Sequence, residues 1–274
     1  MLSIAKTLDY QTASATAKVA FSRRPGAYLV SAMLAGAYIG VAVVLMFTAA
    51  GPFYAQGAAS TALIAGLVFS IALALVTVAG GELATSNMMT LTQGLLTKGI
   101  SAAQAAKTLA FCFVANLFSA LIFGTFVHLS AVMAKDTSAY TYLVYKLEDK
   151  LTAGGVSLFF KAILCNALVC LAIWSGIRLK SEGAKLFMIF LCLLAFITSG
   201  FEHVIANMTT FVLGLWLQVP GVGVADFLHN LGVVGLGNLI GGVIIGAAYV
   251  YIAKREVAAP KAQITEADLV ELTQ

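Results

Sequence analysis

Long apolar runs alternate with short polar ones along this chain, and the runs have the length of membrane spans. A helix needs about 20 predominantly apolar residues to cross the hydrocarbon core of a bilayer. Six segments qualify, some only together with the stretch beyond a break: 28–50, 58–80, 105–134, 156–177, 186–200 and 230–253. The second and fifth are interrupted. Segment two meets Gly80-Gly81-Glu82, passes Thr85-Ser86-Asn87 and resumes as Met88 to Leu96. Segment five meets Ser199-Gly200-Phe201-Glu202-His203 and resumes as Val204 to Leu217. Breaks at corresponding places in two halves are the mark of an inverted repeat. Broken backbone at membrane depth is tolerated only against protein or a water-filled cavity, so both breaks are expected to line one central path. The pattern predicts an all-α integral membrane protein: six transmembrane helices in a 3+3 inverted repeat, with helices two and five broken.

Composition agrees. Of 274 residues, 61% are hydrophobic and only 10% are charged, against roughly 25% charged in a soluble domain. Lipid therefore has to solvate much of the apolar surface. The net charge of +4 comes from Lys and Arg between the apolar runs. Membrane orientation explains it, and nucleic-acid binding is not expected. Lys6, Lys18, Arg23, Arg24, Lys98, Lys107, Arg178, Lys180, Lys185, Lys254, Arg255 and Lys261 fall on one side; Lys135, Lys146 and Lys150 fall on the other. The richer side is expected to be cytoplasmic, with both termini there, in a multi-pass protein of the inner (plasma) membrane.

Three stretches follow. Residues 1–25 are polar and Ala-rich, lack the apolar core of a signal peptide, and predict an amphipathic cytoplasmic helix at the membrane surface. Residues 26–255 form the transmembrane domain. Residues 256–274, with Glu266, Asp268 and Glu271, read as a polar cytoplasmic tail. Cys112, Cys165, Cys170 and Cys192 all lie in apolar stretches without CxxC spacing, so they read as small buried hydrophobes. Neither a metal nor a cofactor is expected.

The chemistry concentrates at the breaks. Ionisable residues at membrane depth are costly and usually face a pathway or a partner, which singles out His203 and Glu202. Glu202 suits a proton carrier or, equally, a cap on the half-helix that begins near Val204. The Thr85 hydroxyl can donate to an anion or to the His203 imidazole. Asn166 and Asn238 are lone amides in helices four and six, suited to a substrate or to backbone groups freed by the breaks. Lys150, just before helix four, is either a solvated loop charge or an attractor of anions at the outer mouth. Phe69 precedes the first break by about three helical turns and Phe196 the second by about one. With Leu73 and Leu83 they are packing residues or an apolar constriction.

These residues resemble the formate/nitrite transporter family along nearly the whole chain. The stretch Ala195-Phe196-Ile197-Thr198-Ser199-Gly200-Phe201-Glu202-His203-Val204-Ile205-Ala206-Asn207-Met208 is similar to the family's helix-five signature. Gly80-Gly81-Glu82-Leu83-Ala84-Thr85-Ser86 is similar to its helix-two loop. Asn166 to Trp174 and Gly237-Asn238-Leu239-Ile240-Gly241-Gly242 match helices four and six. Ser31 to Tyr38, Phe160 to Trp174 and Cys192 to Phe196 look more like the nitrite branch than the formate branch. The resemblance implies an aquaporin-like protomer, assembled as a homopentamer with one path per protomer. It implies that His203 is the central histidine, Thr85 its partner and Lys150 the vestibule lysine. Asn166 and Asn238 match polar residues near the path. Leu73 and Val169 match the cytoplasmic slit, with Leu83 close by; Phe69 and Phe196 match the outer one. An aromatic residue often precedes the loop threonine in the family, and here Ala84 stands there, which predicts a cytoplasmic slit that is wider or closed differently.

The function expected is transport of a small monovalent anion, nitrite first, by a pH-dependent channel or a proton-coupled mechanism centred on His203. Formate, hydrosulfide and lactate are alternatives. In one version His203, with an unperturbed pKa of about 6.5, hands a proton to the anion, removing the desolvation cost of a bare charge. In the other it stays neutral and only donates a hydrogen bond. An enzyme is not expected: an intramembrane hydrolase would need a nucleophile elbow, and no GxSxG is present. A water or glycerol pore would fit the repeat. However, Pro25, Pro52, Pro220 and Pro260 all lie away from the breaks, and no Asn-Pro-Ala pair occurs.

Overall fold

The computed structural model describes residues 1–258, with side chains to Arg255; the tail expected over 256–274 lies almost wholly outside the described residues. The described residues are helical and contain no strand. A surface helix α1 (Ile4–Ser22) leads into α2 (Pro25–Ala55), whose first residue is a proline, tolerated there because the N–H of that position has no partner inside a helix. The second crossing is α3 (Thr61–Phe69), α4 (Ile71–Leu75) and a π turn (Val76–Gly80), followed beyond the break by α5 (Ala84–Leu96). Then come α6 (Ala102–Leu129), α7 (Ser138–Thr152) and α8 (Gly155–Arg178). The fifth crossing is α9 (Glu182–Thr198) and, beyond its break, α10 (Val204–Trp216); α11 (Val224–Ala258) is the last.

Among the described residues, five continuous stretches are long and apolar enough to cross a membrane, and α9 with α10 makes a further apolar stretch that is broken in the middle. The protein is a multi-pass membrane protein. Large apolar side chains face outward along the spans: Val30, Leu34, Val114, Phe118, Val156, Phe160, Leu228 and Ile244 are all exposed. Only lipid makes that arrangement stable.

Two helix pairs are built alike. In the first half α2 crosses α6 at Gly36 and Gly40, where a Cβ would stand 2.8 Å from Ser119 and 2.5 Å from Phe123. In the second half α8 crosses α11 at Gly237 and Gly241, where a Cβ would stand 2.5 Å from the Phe159 and Ile163 carbonyl oxygens. Lipid tails leave little hydrophobic drive between helices, so close backbone approach at small residues holds such pairs.

Two elements differ from the sequence reading. The third crossing ends at Leu129 rather than near residue 134. The stretch before helix four is not a loop: α7 buries Ala139, Tyr142, Leu143 and Leu147 on one face, at helical spacing. A mixed polar and aromatic sequence hid that face. At the opposite side of the bundle, α1 buries Thr7, Leu8, Gln11, Ala15 and Val19. It is tied down by bonds from Thr90 to Gln11 (3.1 Å), between Thr12 and Thr97 (3.0 Å) and between Ser22 and Thr108 (3.1 Å).

Candidate functional site

Each break begins at a glycine with positive φ, +84° at Gly80 and +68° at Gly200. Nothing lies within 4 Å of where a Cβ would stand at either. Conformation rather than space therefore demands glycine: the left-handed region costs an L-residue about 1–2 kcal/mol. The chain then runs extended for two or three residues before re-entering a helix, which strands backbone groups deep in the protein.

A matched set of side chains satisfies them. At the first break the Ala84 N–H donates to Asn116 Oδ1 (3.0 Å), and Asn116 Nδ2 donates to the carbonyls of Ala32 (2.6 Å) and Glu82 (3.1 Å). At the second the Val204 N–H donates to Asn238 Oδ1 (2.8 Å), and Asn238 Nδ2 donates to Ala162 (2.7 Å) and Glu202 (2.9 Å). The two glutamates are held alike. Asn87 donates to Glu82 Oε2 at 2.8 Å and Asn207 to Glu202 Oε2 at 2.6 Å. Lys18 Nζ lies 2.8 Å from both Glu82 oxygens; Lys150 Nζ lies 2.8 and 2.7 Å from those of Glu202. Glu202 does not cap α10, because its carboxylate is committed to Lys150 and Asn207. The capping group is the His203 ring.

The correspondence holds at the glycine, glutamate and asparagine and fails between them: Leu83 answers His203, and Thr85 answers Ile205. Leu83 follows Glu82, whereas His203 follows Glu202. His203 Nδ1 accepts the Ala206 N–H at 3.2 Å, and Nε2 lies 2.9 Å from Thr85 Oγ1. A ring nitrogen that accepts from a backbone N–H carries no proton, so the network assigns the proton to Nε2, which donates to Thr85. Thr85 sits in the first turn of α5, so this bond joins the two breaks. Asn166 also bridges them, donating to the carbonyls of Thr85 (3.2 Å) and Asn238 (2.7 Å). Asn166 and Asn238 thus spend their N–H groups on backbone.

Three spaces lie near the breaks, and the one beside α7 is here called the outer one. The outer one, of about 100 Å³, is lined by Tyr142, Lys146, Asp149, Lys150, Phe69, Phe196, Glu202 and His203, among others. The Phe69 and Phe196 rings pack edge to face at 5.7 Å, and Phe196 stacks on the His203 ring at 6.0 Å. Past them, Ile39, Phe69, Leu73, Leu83, Val169, Leu193, Phe196 and His203 enclose a void of about 10 Å³, room for at most one water. A third space of about 520 Å³ is lined by Leu2, Tyr10, Thr77, Ala172, Ile177, Glu182, Lys185 and Ile189, residues of α1 and of the crossings that carry Leu73 and Val169 among them. All eleven candidate residues except Thr85, Asn166 and Asn238 line the outer space or the central void; those three lie just behind. Leu73, Leu83 and Val169 are all buried and line the void.

Sequence reasoning did not single out Asn116, Asn87, Asn207, Lys18 or Lys146. A signal was present: Gly-x-Glu-x4-Asn occurs at both breaks, as Gly80, Glu82, Asn87 and as Gly200, Glu202, Asn207. Asn116 stands in the third crossing as Asn238 does in the sixth. The partnership of Lys18 with Glu82 has no local signal, since the two are remote in sequence.

Comparison with known proteins places this architecture. A family model described as formate/nitrite transporter matches residues 6–252. The nitrite transporter NirC of Escherichia coli (strain K12) is 38% identical over 260 residues, covering 92% of this chain and 91% of that protein. A solved structure described as an FNT family ion channel superposes with a TM-score of 0.82 at 36% identity, covering 93% of this chain and 99% of that one. A pentameric formate channel with formate bound superposes with a TM-score of 0.73 at 25% identity, covering 83% and 96%.

Proposed function

This chain belongs to the formate/nitrite transporter family and carries small anions across a membrane; from that premise we propose that its substrate is nitrite and that His203 acts on it as a neutral hydrogen-bond donor. The similarity to the nitrite transporter NirC over nine-tenths of both chains supports nitrite. The observation that carries the mechanism is the pair of bonds made by His203. Protonating Nδ1 would set two N–H donors against each other at the Ala206 contact and place a cation at the N-terminus of α10, the positive end of its dipole. The resting ring is therefore neutral, with one proton, on Nε2.

An anion drawn into the outer space passes Phe69 and Phe196 and meets Nε2–H together with the Thr85 hydroxyl. In a void of about 10 Å³ it arrives without its hydration shell, and these two donors stand in for part of it. Leu73, Leu83 and Val169 close the inner end, so passage requires their side chains or those of the phenylalanines to move. The charge that makes the dry passage costly is removed when the anion takes a proton from hydronium in the solvent that follows it, rather than from His203. The pH dependence of flux then follows the anion's own acid–base equilibrium. Both termini are cytoplasmic, the membrane is the plasma membrane, and the assembly is a homopentamer, supported by the pentameric relative.

Proteoliposome flux of nitrite, formate, hydrosulfide and lactate across a pH series tests this reading. Nitrite is expected to move fastest. His203→Asn keeps a capping oxygen and an N–H donor but cannot titrate. It is expected to lower flux about tenfold, the equivalent of about 1.4 kcal/mol in the barrier, with an unchanged pH profile. A flattened profile in this variant would restore the imidazole as proton donor. Formate flux above nitrite flux would move the chain to the formate branch.

A further inference from the structure

We propose that Lys146 is the cation that captures anions at the outer mouth, and that Asp149 limits how strongly it does so. The inference rests on the anion-transport reading and names a residue that reading does not use.

Two ammonium groups line the outer space, Lys146 and Lys150. Lys150 bonds both oxygens of Glu202, and the side chains of that pair are 11% and 5% exposed. So tight a pair presents little net charge to an approaching ion. Lys146 stands one helical turn earlier on α7 and faces the same space. Among the described residues no carboxylate oxygen lies within 4.0 Å of its ammonium. It rests instead over two rings, 5.7 Å from the centroid of Tyr142 and 5.6 Å from that of Tyr145. Tyr145 in turn stacks on Tyr54 at 4.7 Å. An aromatic face holds an ammonium through its quadrupole without cancelling the charge. The tyrosines therefore fix the position of Lys146 and leave its field intact.

The surroundings favour an anion there. Burial, and then the neighbouring Lys150 ammonium, hold Lys146 below the ordinary lysine range, with Lys161 acting in the same sense and Asp149 and Glu202 opposing. An anion beside Lys146 offsets both unfavourable effects. Phe69, Phe196 and His203 line the same space, so an ion held by Lys146 is already at the entrance to the constriction. Asp149 lines that space too and is exposed. Its carboxylate weakens the attraction without closing an ion pair.

A charge that concentrates substrate at a mouth changes the half-saturation of flux, not the maximal rate, and its effect is screened by salt. Nitrite influx into vesicles with the outer face outward is the measurement. At low ionic strength Lys146→Gln is expected to raise the half-saturation concentration by about three- to tenfold, with maximal flux held within about twofold. Lys146→Arg should restore the wild-type value. Asp149→Asn should move it the other way, which general damage to the fold would not do. All these differences should shrink at an ionic strength of roughly 1 M, where the screening length is about 3 Å. An unchanged half-saturation in Lys146→Gln, or shifts of the same sign in Lys146→Gln and Asp149→Asn, overturns this proposal alone. A wild type that moves no anion overturns the transport reading with it.

Discussion

His203 and Leu83 occupy one position in two breaks that share a glycine, a glutamate and an asparagine, and the polar pair His203 and Thr85 is answered by the apolar pair Leu83 and Ile205. Asn87 and Asn207, Asn116 and Asn238, Lys18 and Lys150 all answer each other; the histidine has no polar counterpart. The Lys150–Glu202 pair is buried enough that its halves depend on one another. Removing one member of such a pair costs about 3–5 kcal/mol, while removing both with apolar or neutral groups of similar size is often close to neutral. Lys150→Met should therefore destabilise the protein in detergent more than Lys150→Met combined with Glu202→Gln, as read from thermal unfolding. Equal melting temperatures would show that the pair contributes little. Gly200→Ala should cost about 1–2 kcal/mol from its φ alone, with no steric addition, because nothing lies near the new methyl group.

At the scale of elements, the broken helices persist because a neighbouring crossing supplies an amide to each. A buried N–H or C=O left without a partner costs about 1–3 kcal/mol, and each of Asn116 and Asn238 serves two such groups at its break, besides a carbonyl inside a neighbouring helix. Asn116→Leu and Asn238→Leu should therefore each lower stability by several kcal/mol, through the same loss at two places. Asn238→Asp should fail as well, since it keeps the acceptor for Val204 and loses both donations. Denaturation in detergent, with flux measured beside it, checks both. The helix α1 is held in another way, by hydroxyl and amide contacts and by Lys18 against Glu82. Lys18→Met leaves the Glu82 carboxylate with Asn87 alone and should loosen α1, raising protease sensitivity over residues 4–22.

For the whole molecule, the outer space and the void share Phe69, Phe196 and His203, so these three side chains separate a space of about 100 Å³ from one that holds at most one water. Labelling of single cysteines introduced near residues 2 and 136 tests the topology: the first should react only from the cytoplasm and the second only from outside. Mass measurement of the purified complex should give five copies.

Much of this was written in the linear sequence. Apolar runs of spanning length and glycine with an acidic residue at two matching places are local properties, and they determine the apolar helices and their breaks; the clustering of Lys and Arg is equally local and carries the proposed orientation. The helical face of α7 was also present locally but diluted among polar and aromatic residues. What only the tertiary structure decided is who partners whom. The Glu202 carboxylate turns to Lys150 and Asn207 and leaves the cap to His203; Asn166 and Asn238 turn to backbone; Lys18 reaches Glu82 from a helix of the first 22 residues. The physical reason is that a buried polar group takes whatever partner the packing of remote helices brings within about 3 Å, and no pattern along the chain fixes that choice.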